Sequence, residues 1–308
     1  MKHFLYLIIS LLTLSSCDYQ KKMEKPPAVY VNLADDNQWK KLWYDGKAEI
    51  NVYETDQARY SDIHPGTTVL IFVTEDFLTE KQVKNETHSG DASTSVLKTN
   101  LIRKFNTGIY DYSIMTSTFT PVDHEQYPNT LKVSLSSQDW CGQSFMQLNL
   151  ENDEYQVSQY SYFEEEGDRQ YNIEASLSED ELFNQIRFNP EILPTGNKKM
   201  LPSLAFSRLK HIEFKPYPVE ISRAKYTETG FEGDQPQNYK VYFPDFDRTI
   251  EIIYEADFPF DILGWKDTYP VLSGKKLTST FKRISSERVA YWSKHDASDS
   301  ELRNKIGL

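Results

Sequence analysis

The sequence predicts a mainly β protein, a curved antiparallel sheet or half-barrel with a few short helices, which is a β-rich α+β fold. The chain is rich in aromatic residues, with 20 Tyr, 17 Phe and 5 Trp among 308 residues, and such side chains suit half-buried pleated surfaces. Many short segments alternate apolar and polar residues, as strands with one solvated face do. Turn-forming residues separate these segments at short intervals, which favours a meander of antiparallel strands.

The chain begins with an apolar leader. Lys2 precedes an apolar stretch, residues 4–12, that is too short to cross a bilayer as a permanent helix and is typical of an export signal. The stretch ends in Leu14-Ser15-Ser16-Cys17, which resembles the lipobox of bacterial lipoproteins. The resemblance implies that residues 1–16 are a lipoprotein signal peptide and that Cys17 is lipidated and anchors the protein to a membrane. The alternative is an ordinary cleaved signal followed by an incidental cysteine.

The segment after the leader is polar and proline-terminated. Residues 17–34 therefore read as a lipidated N-terminus and a tether, and residues 35–292 as a single β-rich domain. These features predict an exported protein, lipid-anchored in the bacterial cell envelope, with the outer membrane as the expected site. Both its periplasmic and its surface leaflet fit the sequence.

Charge and apolar content exclude two classes of partner. The formal net charge is −12, and an acidic chain without a long basic run repels phosphate backbones, so no nucleic acid partner is expected. No second apolar run approaches the length of a membrane span.

The chain has two cysteines, so lipidation of Cys17 leaves Cys141 as a lone thiol in an oxidising compartment.

In the first half of the chain we predict one helix and then a series of strands. Trp39, Leu42 and Trp43 follow helical spacing over residues 35–44. His64-Pro65-Gly66 is predicted to form a turn, and residues 85–95 a polar loop. Further turns are predicted at 106–108 and 151–153. The predicted strands are 47–53, 67–73, 97–105, 109–120, 131–137, 145–150, 155–163 and 171–175.

A helix and a connector, at about 178–211, separate two β-rich blocks. Ser178 and Glu181 form a capping-box pattern before an apolar face, and this helix should end before Pro190. Pro202 is predicted to open a second short helix through Arg208. One continuous curved sheet is preferred to two domains, because each block alone has few helices to cover it. The later predicted strands are 212–214, 219–226, 239–243, 249–254, 277–284 and 288–292, and the polar tail 293–308 is predicted to be loose.

Six strings spread over the chain resemble an uncharacterised lipoprotein family of Bacteroidetes. They are Gln-Ala-Arg-Tyr at 57–60, Ile-Phe-Val-Thr-Glu-Asp-Phe at 71–77, Lys-Phe-Asn-Thr-Gly-Ile-Tyr at 104–110, Ser-Gln-Asp-Trp-Cys-Gly-Gln at 137–143, Ser-Tyr-Phe-Glu-Glu-Glu-Gly-Asp at 161–168 and Phe-Pro-Phe-Asp-Ile-Leu-Gly-Trp at 258–265. Members are often labelled septum formation inhibitor Maf. True Maf proteins are cytoplasmic nucleotide pyrophosphatases with an early Ser-x-Ser-Pro-Arg-Arg motif that this chain lacks, so the label is an error. The resemblance implies the cellular location and the fold of the protein, and it transfers no catalytic residue.

Catalytic and metal patterns are weak. Cys141, in Gln138-Asp139-Trp140-Cys141-Gly142-Gln143, is a candidate nucleophile only if a histidine lies within hydrogen-bond reach; the candidates are His64, His88, His124 and His211. The alternative is a small buried thiol between two strands, with Trp140 in the core. The acidic run 164–168 lacks the alternation of a calcium loop and suits a solvated turn. No zinc spacing, Walker loop or dinucleotide fingerprint occurs, so we expect no catalytic residue, no metal and no cofactor.

Tyrosine-rich strands supply the candidate ligand-binding residues. Tyr110 and Tyr112 share one face of a predicted strand, and Tyr160 and Tyr162 share one face of another. Together with Trp140 they could bind sugar rings or line an acyl-chain cavity. The alternative is cross-strand aromatic packing.

The leading prediction is a non-enzymatic envelope lipoprotein that binds an apolar or amphipathic ligand, or an envelope partner, in its sheet concavity. A second hypothesis is a cell-surface module that binds glycan or protein through exposed Tyr and Trp. A third is a cysteine or carboxylate hydrolase.

Overall fold

A computed structural model describes residues 36–87 and 92–308. The leader, Cys17, the tether and His88 fall outside the described residues. Within the described ranges, no helix has both the length and the apolar character that a bilayer crossing requires.

Within these described ranges the strands form one antiparallel sheet of 15 strands. They are β1 (Ala48–Arg59), β2 (Asp62–Leu78), β3 (Val83–Lys84), β4 (Ser93–Thr107), β5 (Tyr110–Pro121), β6 (Lys132–Asp139), β7 (Gly142–Glu151), β8 (Glu154–Ser161), β9 (Arg169–Glu174), β10 (Gly196–Met200), β11 (Tyr217–Lys225), β12 (Pro236–Phe243), β13 (Arg248–Glu255), β14 (Ile262–Pro270) and β15 (Lys276–Val289). The helices are α1 (Asp36–Trp43), α2 (Leu182–Phe188), α3 (Leu204–Lys210) and α4 (Ser300–Lys305). The predicted mainly β fold is confirmed.

The order of the strands joins both sequence blocks. It runs β10-β11-β12-β13-β14-β15-β1-β2-β4-β5-β6-β7-β8-β9, with β3 paired to β2. The two blocks meet where the first long strand pairs with the last, for example at Val52 opposite Ser285. In the described part of the chain, β9 and β10 end this path without pairing with each other, so the sheet does not close.

Three helices cover one face of the sheet, which we call the inner face. Trp39 and Trp43 of α1 and Ile186 of α2 belong to a large apolar cluster with β1, β2, β4 and β11 to β15. Leu204 and Leu209 of α3 belong to a second cluster with β4 to β8. The inner face therefore holds the core, and α3 occupies the end where the β1–β2, β4–β5 and β6–β7 turns lie.

Buried charges are paired across this core. Arg187 of α2 donates to Glu49 at 2.7 Å and to Asp261 at 3.0 Å. Arg248 of β13 donates four hydrogen bonds, two to Asp267 and two to Glu179. Buried ions of opposite sign at hydrogen-bond distance offset part of each other's desolvation cost, which explains how polar residues occupy the inner face.

Several predicted elements are confirmed by the structure. The first helix is found as α1 with Trp39 and Trp43 buried, and the Ser178–Glu181 capping box is present. The turns after β4 and β7 are hairpin turns, with a left-handed φ at Gly108 and at Asn152. The second short helix is found as α3, which begins after Ser203.

The turn predicted at His64-Pro65-Gly66 is wrong, because these residues lie inside β2. Proline is tolerated there since β4 first pairs with β2 at Gly66, so the missing Pro65 N–H leaves the β2–β4 ladder intact. The chain reverses at Tyr60 instead, whose φ is +55°.

Other boundaries also differ from the prediction. Residues 212–214 are not a strand, and β3, β10 and β14 were not predicted. The predicted strands 277–284 and 288–292 are replaced by one strand, β15, which ends at Val289. The polar loop predicted over 85–95 overlaps the start of β4 at Ser93. The tail was predicted to be loose, yet it contains α4, and Ser285 donates to the Ile306 carbonyl oxygen.

Candidate functional site

A cavity of about 510 Å³ lies on the inner face beside the unclosed edge of the sheet. Strands β6 to β9 form its floor, and the end of α3 with residues 211–215 forms its wall. The cavity exists because β9 is an edge strand, so no further strand fills the space next to it. Its volume is in the range of small-molecule sites.

The wall is held in place by hydrogen bonds to backbone oxygens. Helix α3 ends at His211, whose left-handed φ of +54° turns the chain. Arg59 donates to the Leu209 carbonyl oxygen, and Lys210 donates to that of Pro270 at 2.8 Å. These contacts tie α3 to β1 and β14, so the wall is fixed by strands far from the cavity.

The deep part of the cavity is apolar. Its lining includes Leu135, Met146, Ile173 and Phe214 together with the ring of Tyr171. Burial raises the pKa of Tyr171 to about 12, so this hydroxyl is neutral at physiological pH. The floor therefore suits hydrocarbon or aromatic groups.

A chain of polar contacts crosses the mouth of the cavity. Arg208 Nε donates to Ser144 Oγ at 2.8 Å, and the Ser144 and Ser161 hydroxyl oxygens are 3.4 Å apart. Ser161 donates to Glu166, and Glu166 Oε1 is 2.5 Å from His211 Nδ1. The carboxylate lies between serine and histidine, so the histidine does not contact the hydroxyl that a nucleophilic mechanism needs it to deprotonate.

Three of the predicted ligand-binding residues gather at the same end of the sheet. The Tyr60 hydroxyl is 2.8 Å from that of Tyr112 and also contacts that of Tyr110. The Trp140 ring lies 6.4 Å from the Tyr110 ring. Tyr112 is buried against Phe105, so it supports the others rather than facing solvent.

Tyr162 extends this group, and Tyr160 does not. The Tyr162 ring packs on Gly142, where an added Cβ would lie 2.7 Å from it. Tyr60, Tyr110, Trp140 and Tyr162 thus follow one another along successive turns, and we call them the aromatic row. Tyr160 lies elsewhere, paired with Phe145 across β7 and β8. None of the five predicted residues lines the cavity.

The alternative interpretation, in which Cys141 is buried and Trp140 lies in the core, is wrong. Trp140 is 67% exposed, and Cys141 is an exposed free cysteine, because both lie at the tip of the β6–β7 turn. The Cys141 backbone N–H donates to Asp139 at 2.7 Å. Within residues 36–87 and 92–308, no hydrogen bond joins Cys141 to a histidine.

The acidic residues of the run 164–168 differ in their contacts and in their exposure. Glu166 contacts Ser161 and His211, while Glu164 and Glu165 are exposed. Among the residues that the structure describes, no group of three or more His, Cys, Asp or Glu side chains is placed to hold a metal ion.

Comparisons with known proteins give a similarity to solved structures alone. No family model matches the chain, and no curated protein matches it. The crystal structure of a β-barrel-like protein of the domain of unknown function DUF1849 from Brucella abortus superimposes with a TM-score of 0.47 and 9% sequence identity. The match covers 78% of this chain and 97% of that chain, and we draw no functional inference from it.

Proposed function

We propose that this protein is a lipid-anchored lipoprotein of the bacterial cell envelope, of the Bacteroidetes family that its sequence resembles. In this proposal it binds a small amphipathic ligand and does not transform it. The observation that carries the proposal is the cavity beside β9, with an apolar floor and a polar mouth. The leader and Cys17 support the location, since they match the pattern of a lipidated export signal.

Ligand binding fits the cavity better than hydrolysis does. The serine hydroxyls at its mouth donate or accept hydrogen bonds, and Glu166 separates Ser161 from His211. The cysteine of the hydrolase hypothesis lies in a turn outside the cavity. An arrangement in which Glu166, and not a histidine, contacts the Ser161 hydroxyl beside an apolar floor is suited to recognition.

Filling the cavity should abolish binding of an apolar probe. We expect the full chain carrying Cys17→Ser, which prevents acylation, to bind N-phenyl-1-naphthylamine with an increase in probe fluorescence. Ile173→Trp, on the floor, should weaken that binding at least tenfold because the larger ring occupies the space. The control is Gln170→Trp, an exposed position on the same strand that does not line the cavity. Absence of probe binding by the Cys17→Ser chain would refute the proposed function.

A second candidate function rests on a different observation, the exposure of the aromatic row. Trp140 and Tyr162 are 67% and 70% exposed. Within the row the Tyr60 and Tyr110 hydroxyls are in contact, and the Tyr110 and Trp140 rings lie 6.4 Å apart. Exposed rings in a row can stack on sugar rings, so this surface suits a glycan-binding module.

Removal of the Trp140 ring tests the glycan candidate. We expect Trp140→Ala to weaken binding of chitohexaose or soluble peptidoglycan fragments at least tenfold, because it removes the indole ring of the row, which is exposed. Tyr160→Ala is the matched control, since Tyr160 is 46% exposed but lies outside the row. Equal losses in the two variants, or no binding of these glycans by the unmodified protein, would exclude the second candidate.

A further inference from the structure

Among the described residues, three arginines are buried, and they differ in their partners. Arg187 and Arg248 each hydrogen-bond two carboxylates. Arg208 is 7% exposed, and its only hydrogen bond among the described residues goes to the Ser144 hydroxyl. The Asp139 carboxylate is 3.6 Å from Arg208 Nη2, which is longer than a hydrogen bond.

Arg208, the buried arginine without a carboxylate at hydrogen-bond distance, is the one that lines the cavity. Its Nη1 is buried and has no hydrogen-bond partner among the described residues. The Phe163 ring lies 4.1 Å from the Arg208 guanidinium carbon, so one face of the guanidinium is covered. A buried guanidinium N–H without an acceptor is costly, and a ligand that supplies an oxyanion to Nη1 would offset that cost.

Neighbouring groups decide the class of anion. Ser144 accepts a hydrogen bond from the guanidinium and lies 3.4 Å from Ser161, whose hydroxyl donates to Glu166. The donor that remains for an oxygen ligand is therefore Arg208 Nη1. Asp139 and Glu166 are carboxylates close to the same place, and His211 faces Glu166. These negative groups disfavour a doubly charged phosphate more strongly than a singly charged carboxylate. The planar guanidinium also matches the geometry of a carboxylate.

We propose that the ligand of the cavity is an amphipathic carboxylate, whose carboxylate binds Arg208 and whose apolar part lies on the floor formed by residues such as Met146 and Ile173. This inference rests on the proposed cavity-binding function and adds the chemical class of the ligand. It assigns to Arg208 the role of the residue that selects the charge of the ligand.

A matched series of eight-carbon ligands tests the proposal. Calorimetric titration of the full chain carrying Cys17→Ser should show that octanoate binds at least tenfold more tightly than octanol. Octyl phosphate should bind more weakly than octanoate, and octylamine most weakly of all. Arg208→Met should weaken octanoate binding at least tenfold and change octanol binding less than twofold. Arg169→Met is the control, because Arg169 lines the cavity as well but is exposed.

The pH dependence of the unmodified site provides a readout that needs no substitution at Arg208. Octanoate becomes neutral at about pH 4 to 5, as other carboxylic acids do, and its affinity should then fall to that of octanol. Asp139, Glu166 and His211 are the ionisable groups near Arg208, and the octanol series measured at the same pH values corrects for any change in the site itself. A constant ratio of the two affinities from pH 7 to pH 4 would overturn the inference.

The outcomes separate this inference from the proposed function. Equal binding of octanoate and octanol, with N-phenyl-1-naphthylamine still bound, would overturn the role of Arg208 and leave the cavity as a binding site. Failure of all these probes to bind would refute the cavity function itself.

Discussion

Replacing Gly264 by alanine should lower the free energy of unfolding by about 3 kcal/mol, combining overpacking with backbone strain. A methyl group at this position would lie 2.2 Å from the Phe281 carbonyl oxygen and 2.3 Å from the Phe231 ring. The φ of Gly264 is +159°, a conformation that side chains rarely adopt. Because the first of these neighbours is backbone of the adjacent strand, it cannot move aside without breaking the β14–β15 ladder.

Gly274→Ala is the matched control for this prediction. Gly274 also has a positive φ, +77°, but no atom lies within 4 Å of its added methyl group. The substitution should therefore cost only the left-handed backbone strain, about 1 kcal/mol. Urea unfolding of both variants measures the difference, and equal losses would show that close packing at Gly264 contributes nothing.

Arg248→Met should destabilise the protein by about 3 to 5 kcal/mol at neutral pH, the usual cost of removing one partner of a buried ion pair. Arg248 is 1% exposed and its four hydrogen bonds hold Asp267 and Glu179 together. Its loss leaves two carboxylates close to each other in the core. Arg303→Met in α4, at an exposed position, should change stability by less than about 0.5 kcal/mol.

The pH dependence of the Arg248 variant separates charge from packing. Burial raises the pKa of Asp267, and the charge of Arg248 opposes this rise. Without the arginine the folded-state pKa of Asp267 increases further above its unfolded value, so the folded variant binds more protons. Its stability should therefore recover relative to the unmodified protein as the pH falls from 7 towards 4. A loss of the same size at every pH would mean that packing, and not charge, accounts for the effect.

The aromatic row and the cavity meet at one end of the sheet. Tyr162 contacts Phe163 edge to face, and Phe163 packs against His211 and covers Arg208. Tyr162, one of the residues that the sequence singled out, therefore lies beside the proposed site, although it does not form its lining.

Local patterns determined much of the secondary structure. The helical spacing of Trp39 and Trp43, the capping box at Ser178 and the turn at Gly108 are properties of a few neighbouring residues, and each was predicted with its correct type. Local rules were wrong at Pro65, because whether proline breaks a strand depends on which neighbours pair there. They missed β14 as well, whose residues became a strand through pairing with β13 and β15.

The site depended on contacts that no local pattern contains. Arg208 and Ser144 are 64 residues apart in the chain, and His211 and Glu166 are 45 apart. In the sequence Arg208 appeared only as the end of a short helix, and Ser144 fell within no candidate site. The incomplete pairing of Arg208 is visible only when every acceptor around it is known.

By itself, the sequence determined the fold class and the positions of most strands, since alternation and turn chemistry act over a few residues. It also carries the leader and Cys17, on which the proposed membrane anchoring depends. Only the tertiary structure decided that β9 remains an edge strand, that α3 and residues 211–215 face it across a cavity, and that Arg208 is buried there without a carboxylate at hydrogen-bond distance. The physical reason is that burial and pairing of charge depend on which distant strands become neighbours, and this is fixed by the sheet as a whole.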